Sequence, residues 1–543
     1  MRAAVSSSVR FFGDRAYAAR TFARAGLIRP VRPDRLIRAG ISLRRWGPTP
    51  AAGYAASAAR YPEEPAVIDE LGTLSFGEVE ARTNALAHAL SDAGVKEGDG
   101  VGVMCRNHRG FIETTVALSK LGAHALYLNT AFAAPQLADV VAREKPIAIV
   151  YDQEFAELLE DAGRRRKRFV AWHHDEGDEP ADPTLEELIA AGDASPVVPP
   201  EEKGRVVILT SGTTGTPKGA TRSQPETLDP AVALLSRIPL RARESTMIAA
   251  PLFHSWGFAH FTLGLLLSST YVLARKFDPE NTLALVERWR ATALPVVPVM
   301  LQRILELPEE TRRGYDVSCL RAVPASGSAL AGDLARRFMD EFGDVLYNLY
   351  GSTEVAWATI ATPRDLREAP GTSGSAPRGT VLKILDDEGR PVPAGQTGRI
   401  FVGNEMLFEG YTGGGSKDVV DELMSTGDVG QLDDQGRLFV EGRDDEMIVS
   451  GGENVFPREV EDLVARHEGV ADVAVVGVDD AEFGQRLKAF VVKGGGDLDA
   501  EELKSYVKSN LAGYKVPRDV EFIDELPRNA TGKVLKRELL ERS

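Results

Sequence analysis

From Ala66 onward, short runs of strand-forming residues alternate with segments of helical periodicity, and no other feature restricts the fold as much. "AVID" and "TLSF" precede "GEVEARTNALAHALSDAG", where Val79, Ala85, Leu86, Ala89 and Leu90 recur at helical spacing. "GVGVMC" leads into another helical stretch, as does "HALYLN", and "IAIVYD" follows. A strand followed by a helix returns to its sheet parallel, because the crossover brings the chain back to the starting edge. The expectation is a layered α/β architecture with parallel sheet. "RVVILT", Arg205 to Thr210, reads as one more such strand, and "GRIFVG" and "GRLFVEG" are β-rich with turn residues between them.

A chain of 543 residues is too long for one simple core, so two to four domains are expected. Composition breaks at "GRDDE", Gly442 to Glu446. Beyond it lies a compact αβ segment of about a hundred residues, a plausible domain size. It has a helix from Pro457, strands "VADVAVVGV" and "RLKAFVVK", and a helix opened by "DAEE". There Asp499 is placed to cap, with Glu502 at capping-box spacing. "RRRKR" (Arg164–Arg168) and the acidic stretch Asp175–Glu187 read as solvated surface.

The apolar stretches Phe261–Ser268 and Ala291–Ile304 are too short for a membrane span or broken by proline and polar residues, so they read as buried strand or helix. Cys105 and Cys319 are the only cysteines, and nothing sets them at metal-ligand spacing. Neither a disulfide scaffold nor a cysteine zinc site is expected, and a cytoplasmic, reducing location fits. The net charge of −16 hides an asymmetry. Met1–Arg45 holds eleven arginines against two aspartates, a net +9, so the remainder carries −25. An acidic body argues against nucleic-acid binding, which needs a basic surface to neutralise phosphates. The head, with "LIRPVRPDRLIRAGISLRRW", admits three readings. It is a basic arm packed on the acidic body, a targeting segment, or an amphipathic segment making peripheral contact with a membrane.

Directly after "RVVILT" comes "SGTTGTPKGATR". Its glycines Gly212, Gly215 and Gly219 let backbone N–H groups approach an anion closely. Ser211, Thr213, Thr214 and Thr216 add hydroxyl donors, and Lys218 adds charge. A Walker A loop requires glycine, lysine and then serine or threonine, whereas Lys218 sits between Pro217 and Gly219. The segment reads as a phosphate-binding loop of another kind.

"LTSGTTGTPKGA" resembles the signature of the adenylate-forming superfamily, which includes acyl-CoA synthetases, luciferases and peptide-synthetase adenylation domains. "LYGSTEVA", "STGDVG", "GRDDEMIVSGGENVFPREVE" and "PRNATGKVLKREL" are similar to its further motifs, in the same order, and the likeness runs from about Thr49 to the C-terminus. The resemblance implies a large N-terminal α/β domain joined by a hinge to a small mobile α+β domain. The corresponding division is an Arg-rich extension at residues 1–48, a large domain at 49–441, a hinge at 442–445 and a C-terminal domain at 446–543.

The resemblance also implies roles. Thr210, Ser211, Gly212, Thr213, Thr214, Gly215 and Lys218 would hold phosphates, and Tyr350, beside Gly351 and Ser352, would stack on adenine. Thr353 would bond the α-phosphate, and Glu354 would hold Mg²⁺ beside it. Gly327, in "ASGSAL", would leave room against adenine and the acyl group. Asp428 would take the ribose hydroxyls, with Arg443 near the ribose. His254, in "PLFHSWGF", would gate the carboxylate pocket, with Trp256, Phe258 and "PVVPVM" as walls. Asp445, or alternatively Asp444, would be the hinge residue. Gly451 and Gly452 would let the pantetheine arm of CoA pass, and Lys533 would reach the carboxylate and α-phosphate. The implied activity is an AMP-forming acid–thiol ligase using ATP, Mg²⁺ and CoA, with a medium- or long-chain fatty acid expected. Alternatives are an aryl-CoA ligase, or an adenylation enzyme that passes its acyl group to a carrier protein.

Overall fold

The structure is a computed structural model. It describes residues 15–541 except 31, 174–178, 211–217, 222–226, 413, 451–452, 481–483, 496 and 530–531. The strand–helix rhythm produces two sheets in the large domain. The first has seven strands, in the order Gly410–Tyr411, Lys218–Thr221, Val206–Thr210, His124–Tyr127, Gly100–Met104, Ala148–Asp152 and Lys167–Trp172. The five from Val206–Thr210 to Lys167–Trp172 are parallel, as the sequence rhythm predicts. Lys218–Thr221 instead turns back antiparallel on Val206–Thr210. Residues 211–217 between them are too few for a parallel crossover, which takes about a dozen or more.

The second sheet starts with Gly72–Ser75, Pro65–Asp69, Thr270–Val272 and Ser245–Met247. Bridges from Thr246 to Ala293, Ala293 to Ala322 and Val296 to Ala325 carry it on to Val323–Ala325, Leu346–Tyr350 and Thr359–Ala361. Helices Phe76–Asp92 and Arg109–Leu121 join the two sheets. Val79, Leu86, Phe111 and Val116 share one core with Val101 and Tyr127 of the first sheet and Val67 and Tyr271 of the second. The first of these helices is fixed at its start by a capping box. Ser75 Oγ accepts the Glu78 N–H at 3.2 Å, and Glu78 accepts the Ser75 N–H at 2.7 Å. Phe261–Ser268 falls largely in helix Ser255–Leu267, and Ala291–Ile304 runs through an extended segment into helix Pro298–Glu306. No helix among the described residues is long and apolar enough to cross a membrane.

A five-stranded antiparallel sheet completes the large domain, with "GRIFVG" as Gly398–Gly403 and "GRLFVEG" ending in Leu438–Arg443. A 3₁₀ turn, Asp444–Glu446, leads from it into the small C-terminal domain. There the paired strands Val470–Asp480 and Gly484–Lys493 alternate from Val473 on, past a bulge between Val470 and Asp472. Val473, Val475, Leu487, Ala489 and Val491 meet helices Pro457–Val464 and Ala500–Asn510 through Val460, Val464, Leu503 and Val507. Ala474, Val476 and Phe490 point the other way, onto Leu526 and Leu539. A period of two on both strands thus explains why the sheet is covered on both faces. Asp499 caps the second helix by accepting the Glu502 N–H at 2.8 Å, as its position in the sequence predicts.

Candidate active site

A cleft of about 2240 Å³ lies between the large domain and the C-terminal domain. It is lined by His254, Gly327, Tyr350, Gly351, Ser352, Thr353, Glu354, Asp428, Arg443 and Lys533, which the chain delivers from far-separated segments. Tyr350 ends strand Leu346–Tyr350, and the chain then folds tightly back. A side chain on Gly351 would run into the carbonyl of Ala356. Ser352 Oγ accepts the N–H groups of Glu354 and Val355 at 3.2 and 3.4 Å, a local turn that carries Thr353 and Glu354 to the cleft.

The Tyr350 hydroxyl donates to Asp428 Oδ2 at 2.5 Å. Asp428 sits opposite Arg443 in the strand pairing, with Arg443 Nε 3.7 Å from Asp428 Oδ1. Burial raises the Asp428 carboxyl above its ordinary pKa, against the pull of Tyr350, Arg443, Lys533 and Lys417. Burial, then the Asp428 charge, pushes the Tyr350 phenol well above its own, so the phenol stays a donor.

Glu354 is anchored from a third direction. Tyr411 OH donates to Glu354 Oε1 at 2.6 Å, and Tyr411 pairs with Ala220 in the strand Lys218–Thr221. Its neighbour Thr412 accepts the Gly219 N–H on Oγ1 at 3.1 Å and donates to Glu144 at 2.6 Å. A Cβ on Gly219 would lie 2.6 Å from that Oγ1, so the close approach requires glycine.

Lys533 belongs to a loop closed on itself. Its N–H donates to Asn529 Oδ1 at 2.9 Å, and the Asn529 N–H donates to the Lys533 carbonyl at 2.9 Å. Arg528 fastens the loop to the domain sheet through Asp472 at 2.6 Å. Gly532 has φ +77°, and a Cβ there would lie 2.5 Å from Val299 Cγ1, so the C-terminal loop rests directly on the large domain. Lys533 is close enough to Asp428 to pull its pKa down. Asp444 Oδ2 is 3.2 Å from Arg399 Nε, and Lys536 is held by Glu461 and Glu446 at 2.9 and 3.3 Å. These ion pairs tie the turn Asp444–Glu446 to both domains.

Residues 54–412 match the model of the AMP-binding enzyme family, and residues 459–533 match its C-terminal domain. The chain belongs to the AMP-binding enzyme family. It is 34% identical over 476 residues to a feruloyl-CoA synthase of Amycolatopsis sp, covering 86% of this chain and 94% of that protein. It is 32% identical to an indoleacetate–CoA ligase of Aromatoleum aromaticum, covering 88% and 94%. The solved structure of ATP-bound MatB from Rhodopseudomonas palustris superposes with a TM-score of 0.79 at 27% identity, covering 91% and 98%. The two-domain fold and the resemblance read from the motifs are those of this family, and the protein is an acid–thiol ligase.

In this AMP-binding enzyme the cleft brings together His254, Trp256, Phe258, Gly327, Tyr350, Gly351, Ser352, Thr353, Glu354, Asp428, Arg443 and Lys533, with Val297, Pro298 and Val299 of "PVVPVM"; Asp444, Pro295, Val296 and Met300 are not in its lining. Ser211, Gly212, Thr213, Thr214, Gly215, Gly451 and Gly452 lie outside the described residues, as do the side chains of Thr210, Lys218 and Asp445. Sequence reasoning missed Tyr411, Asn529, Gly532 and Lys417, all but the last placed by the contacts above. Lys417 Nζ would be 3.0 Å from a Cβ on Gly427, beside Asp428. Cys105, His108 and Asp152 also converge, buried. His108 donates through Nε2 to Asp152 at 2.7 Å and accepts the Gly110 N–H on Nδ1 at 3.1 Å, so one nitrogen caps helix Arg109–Leu121 and the other ties it to the end of strand Ala148–Asp152.

His254, at the start of helix Ser255–Leu267, has a buried Nε2 without a hydrogen-bond partner among the described residues. Burial lowers its pKa to about 4, and that of His260, edge-on to Trp256 at 4.5 Å, to about 3. Both rings are therefore neutral at pH 7. Because each folded pKa lies below the unfolded value of about 6.5, their contribution to stability is complete above pH 6.5 and lost as pH falls through the folded values. Thermal melts between pH 7 and pH 4 are expected to show a steep loss of stability on acidification. The loss is shallower in His254→Gln and His260→Gln, whose amides do not titrate; equal slopes in all three would exclude these rings as the cause.

Proposed function

We propose that this enzyme activates a carboxylic acid with an apolar body as acyl-AMP and transfers the acyl group to CoA. One observation carries the reading. The cation of Lys533 and the acids Asp428 and Glu354 face one cleft, whose lining also holds Trp256, Leu263, Leu266, Val299, Leu330 and Met406. These six apolar side chains support an acid with an apolar tail or ring. The feruloyl and indoleacetate ligases among its relatives act on acids with aromatic bodies, and a relative in Streptomyces coeruleorubidus, 29% identical, is a fatty acid–[acyl-carrier-protein] ligase. A fatty or aryl acid suits the wall equally, and acid length is what the assay below reads.

In the first half-reaction a carboxylate oxygen of the acid attacks the α-phosphorus of ATP, and pyrophosphate leaves. Two anions must meet, so the Lys533 ammonium stabilises charge where they join. Thr353 donates to the α-phosphate. Tyr350 offers its ring face to adenine while its hydroxyl holds one oxygen of Asp428, and Asp428 with Arg443 receives the ribose. Glu354 and Thr353 present oxygen donors, the hard ligands that suit Mg²⁺, and Tyr411 fixes the carboxylate that would hold it. Bound there, Mg²⁺ supplies neutralisation of the phosphate charge. Neutral His254 borders the carboxylate site without adding charge. In the second half-reaction the CoA thiolate attacks the acyl carbonyl, forming the thioester and releasing AMP. We assign the hinge to the turn at Asp444 and Asp445 and the pantetheine path to Gly451 and Gly452, so that the C-terminal domain presents a different face to each step.

The test is a pyrophosphate-release screen over fatty acids of graded length and aryl acids, with and without CoA, and chromatography of the nucleotides. AMP as the product, with thioester only when CoA is present, is expected. ADP as the main product would overturn the reading, and acyl transfer to a carrier protein but not to CoA would favour the carrier-protein alternative.

A further inference from the structure

Helix Pro33–Trp46 shows its larger apolar side to solvent. It buries only Ala39 and Trp46, whereas Leu36, Ile37, Ile41 and Leu43 are 58%, 63%, 59% and 52% exposed. At 3.6 residues per turn, these four and Gly40 fall within one arc of about 160°. Ile28, just ahead of the helix, is also exposed. A solvated surface has no use for so many large aliphatic side chains side by side.

The charge around this face has one sign. Residues 15–48 hold nine arginines against one aspartate. That aspartate, Asp34, is already paired with Arg32 and Arg38 at 3.2 and 3.0 Å. Arg35 and Arg45 are held by the carbonyls of Arg60 and Val197 rather than by carboxylates of the acidic body. Arg38 and Arg45 follow one edge of the apolar arc, and Arg44 lies within it at the C-terminal end. An aliphatic face bordered by arginines matches the layered chemistry of an anionic bilayer, with acyl chains below and phosphates at the rim. The face is also continuous with the cleft, because Leu43 lines it together with Gly47, Pro48 and Thr49.

We propose that Leu36, Ile37, Ile41 and Leu43 seat the enzyme on an anionic lipid bilayer, with helix Pro33–Trp46 lying in the interface plane. A hydrophobic acid dissolved in that bilayer then enters the cleft past Leu43; this second half rests on the acid-activating function proposed above. The four side chains do on the membrane what a buried stripe does in a core, and the arginines set which membrane.

The experiment is cosedimentation of the full chain with vesicles of phosphatidylcholine plus phosphatidylglycerol, against phosphatidylcholine alone. Wild type is expected to bind the anionic vesicles preferentially. The double variant Ile37→Glu, Ile41→Glu, at two exposed positions outside the cleft lining, is expected to bind roughly tenfold or more weakly. Pyrophosphate release from a long-chain acid supplied in the vesicles should fall in parallel, while release from a short water-soluble acid is unchanged. Undiminished vesicle binding by the double variant, or none by wild type, overturns the bilayer as occupant. So does a wild-type dimer that the variant converts to a monomer without vesicle binding, since the face would then join two copies of the chain. Lost binding with unchanged use of vesicle-borne acid overturns the entry route. Sedimentation needs no turnover, so its outcome stands apart from the fate of the acid-activating function.

Discussion

Lys533→Ala is expected to slow acid-dependent ATP–pyrophosphate exchange by roughly a hundred- to a thousandfold, while thioester formation from supplied acyl-AMP stays within a few-fold of wild type. Loss of one preorganised donor at a centre of developing charge costs about 3–4 kcal/mol of transition-state stabilisation. The proposed function assigns this lysine such a position. The hydrogen bonds between Asn529 and Lys533 close its loop, and the loop rests on the large domain beside Val299, close enough for the ammonium to act on Asp428. Once acyl-AMP exists, no pair of anions has to be forced together at this point, so the second step does not call on the same cation. Exchange and thioester formation are measured separately. Equal slowing of both would mean that Lys533 is structural, or serves both steps from one position.

The parts of this site that could be read in advance are those carried by contiguous motifs. The strand ending at Thr210 could be placed because β-branching is a local property, and the loop of glycines and hydroxyls after it could be read as anion-binding from a few residues; Tyr350 is marked by its motif resemblance, not by strand pattern. What escaped were partners supplied by distant segments. Tyr411 reaches Glu354 across 57 positions of sequence, and Tyr350 reaches Asp428 across 78. No periodicity links such pairs; only the completed sheets bring them together. The antiparallel return of Lys218–Thr221 departs from the parallel rhythm for a local reason, the shortness of the connection, which the spacing alone contained. The arginine-rich head admitted three readings because its pattern shows that a helix is amphipathic but not which side the body covers. Small Ala39 and flat Trp46 take that contact, which leaves the aliphatic side outward.

The docking of the lysine loop can be tested without touching the lysine. Gly532→Ala is expected to cut exchange roughly a hundredfold and to spare thioester formation from acyl-AMP. Two penalties act together in the docked state. At φ +77° a Cβ costs about 1–2 kcal/mol, and the added methyl would sit 2.5 Å from Val299 Cγ1, an overpacking worth about 1–3 kcal/mol. Both are relieved if the loop swings out and rebuilds, so the substitution depletes the docked arrangement rather than the fold, and the protein's melting temperature should change little. The contact itself is isolated by a double-mutant cycle. Val299→Ala removes the Cγ1 that the new methyl would strike, leaving only the Cβ at 3.2 Å. Relative to Val299→Ala alone, adding Gly532→Ala should then cost only the backbone share, roughly tenfold. That partial recovery is specific to the two domains meeting at Val299 during adenylation. If the Gly532→Ala penalty is the same with and without the Val299 side chain, the loop does not press on that wall when acyl-AMP forms, and the arrangement seen here belongs to another stage of the cycle.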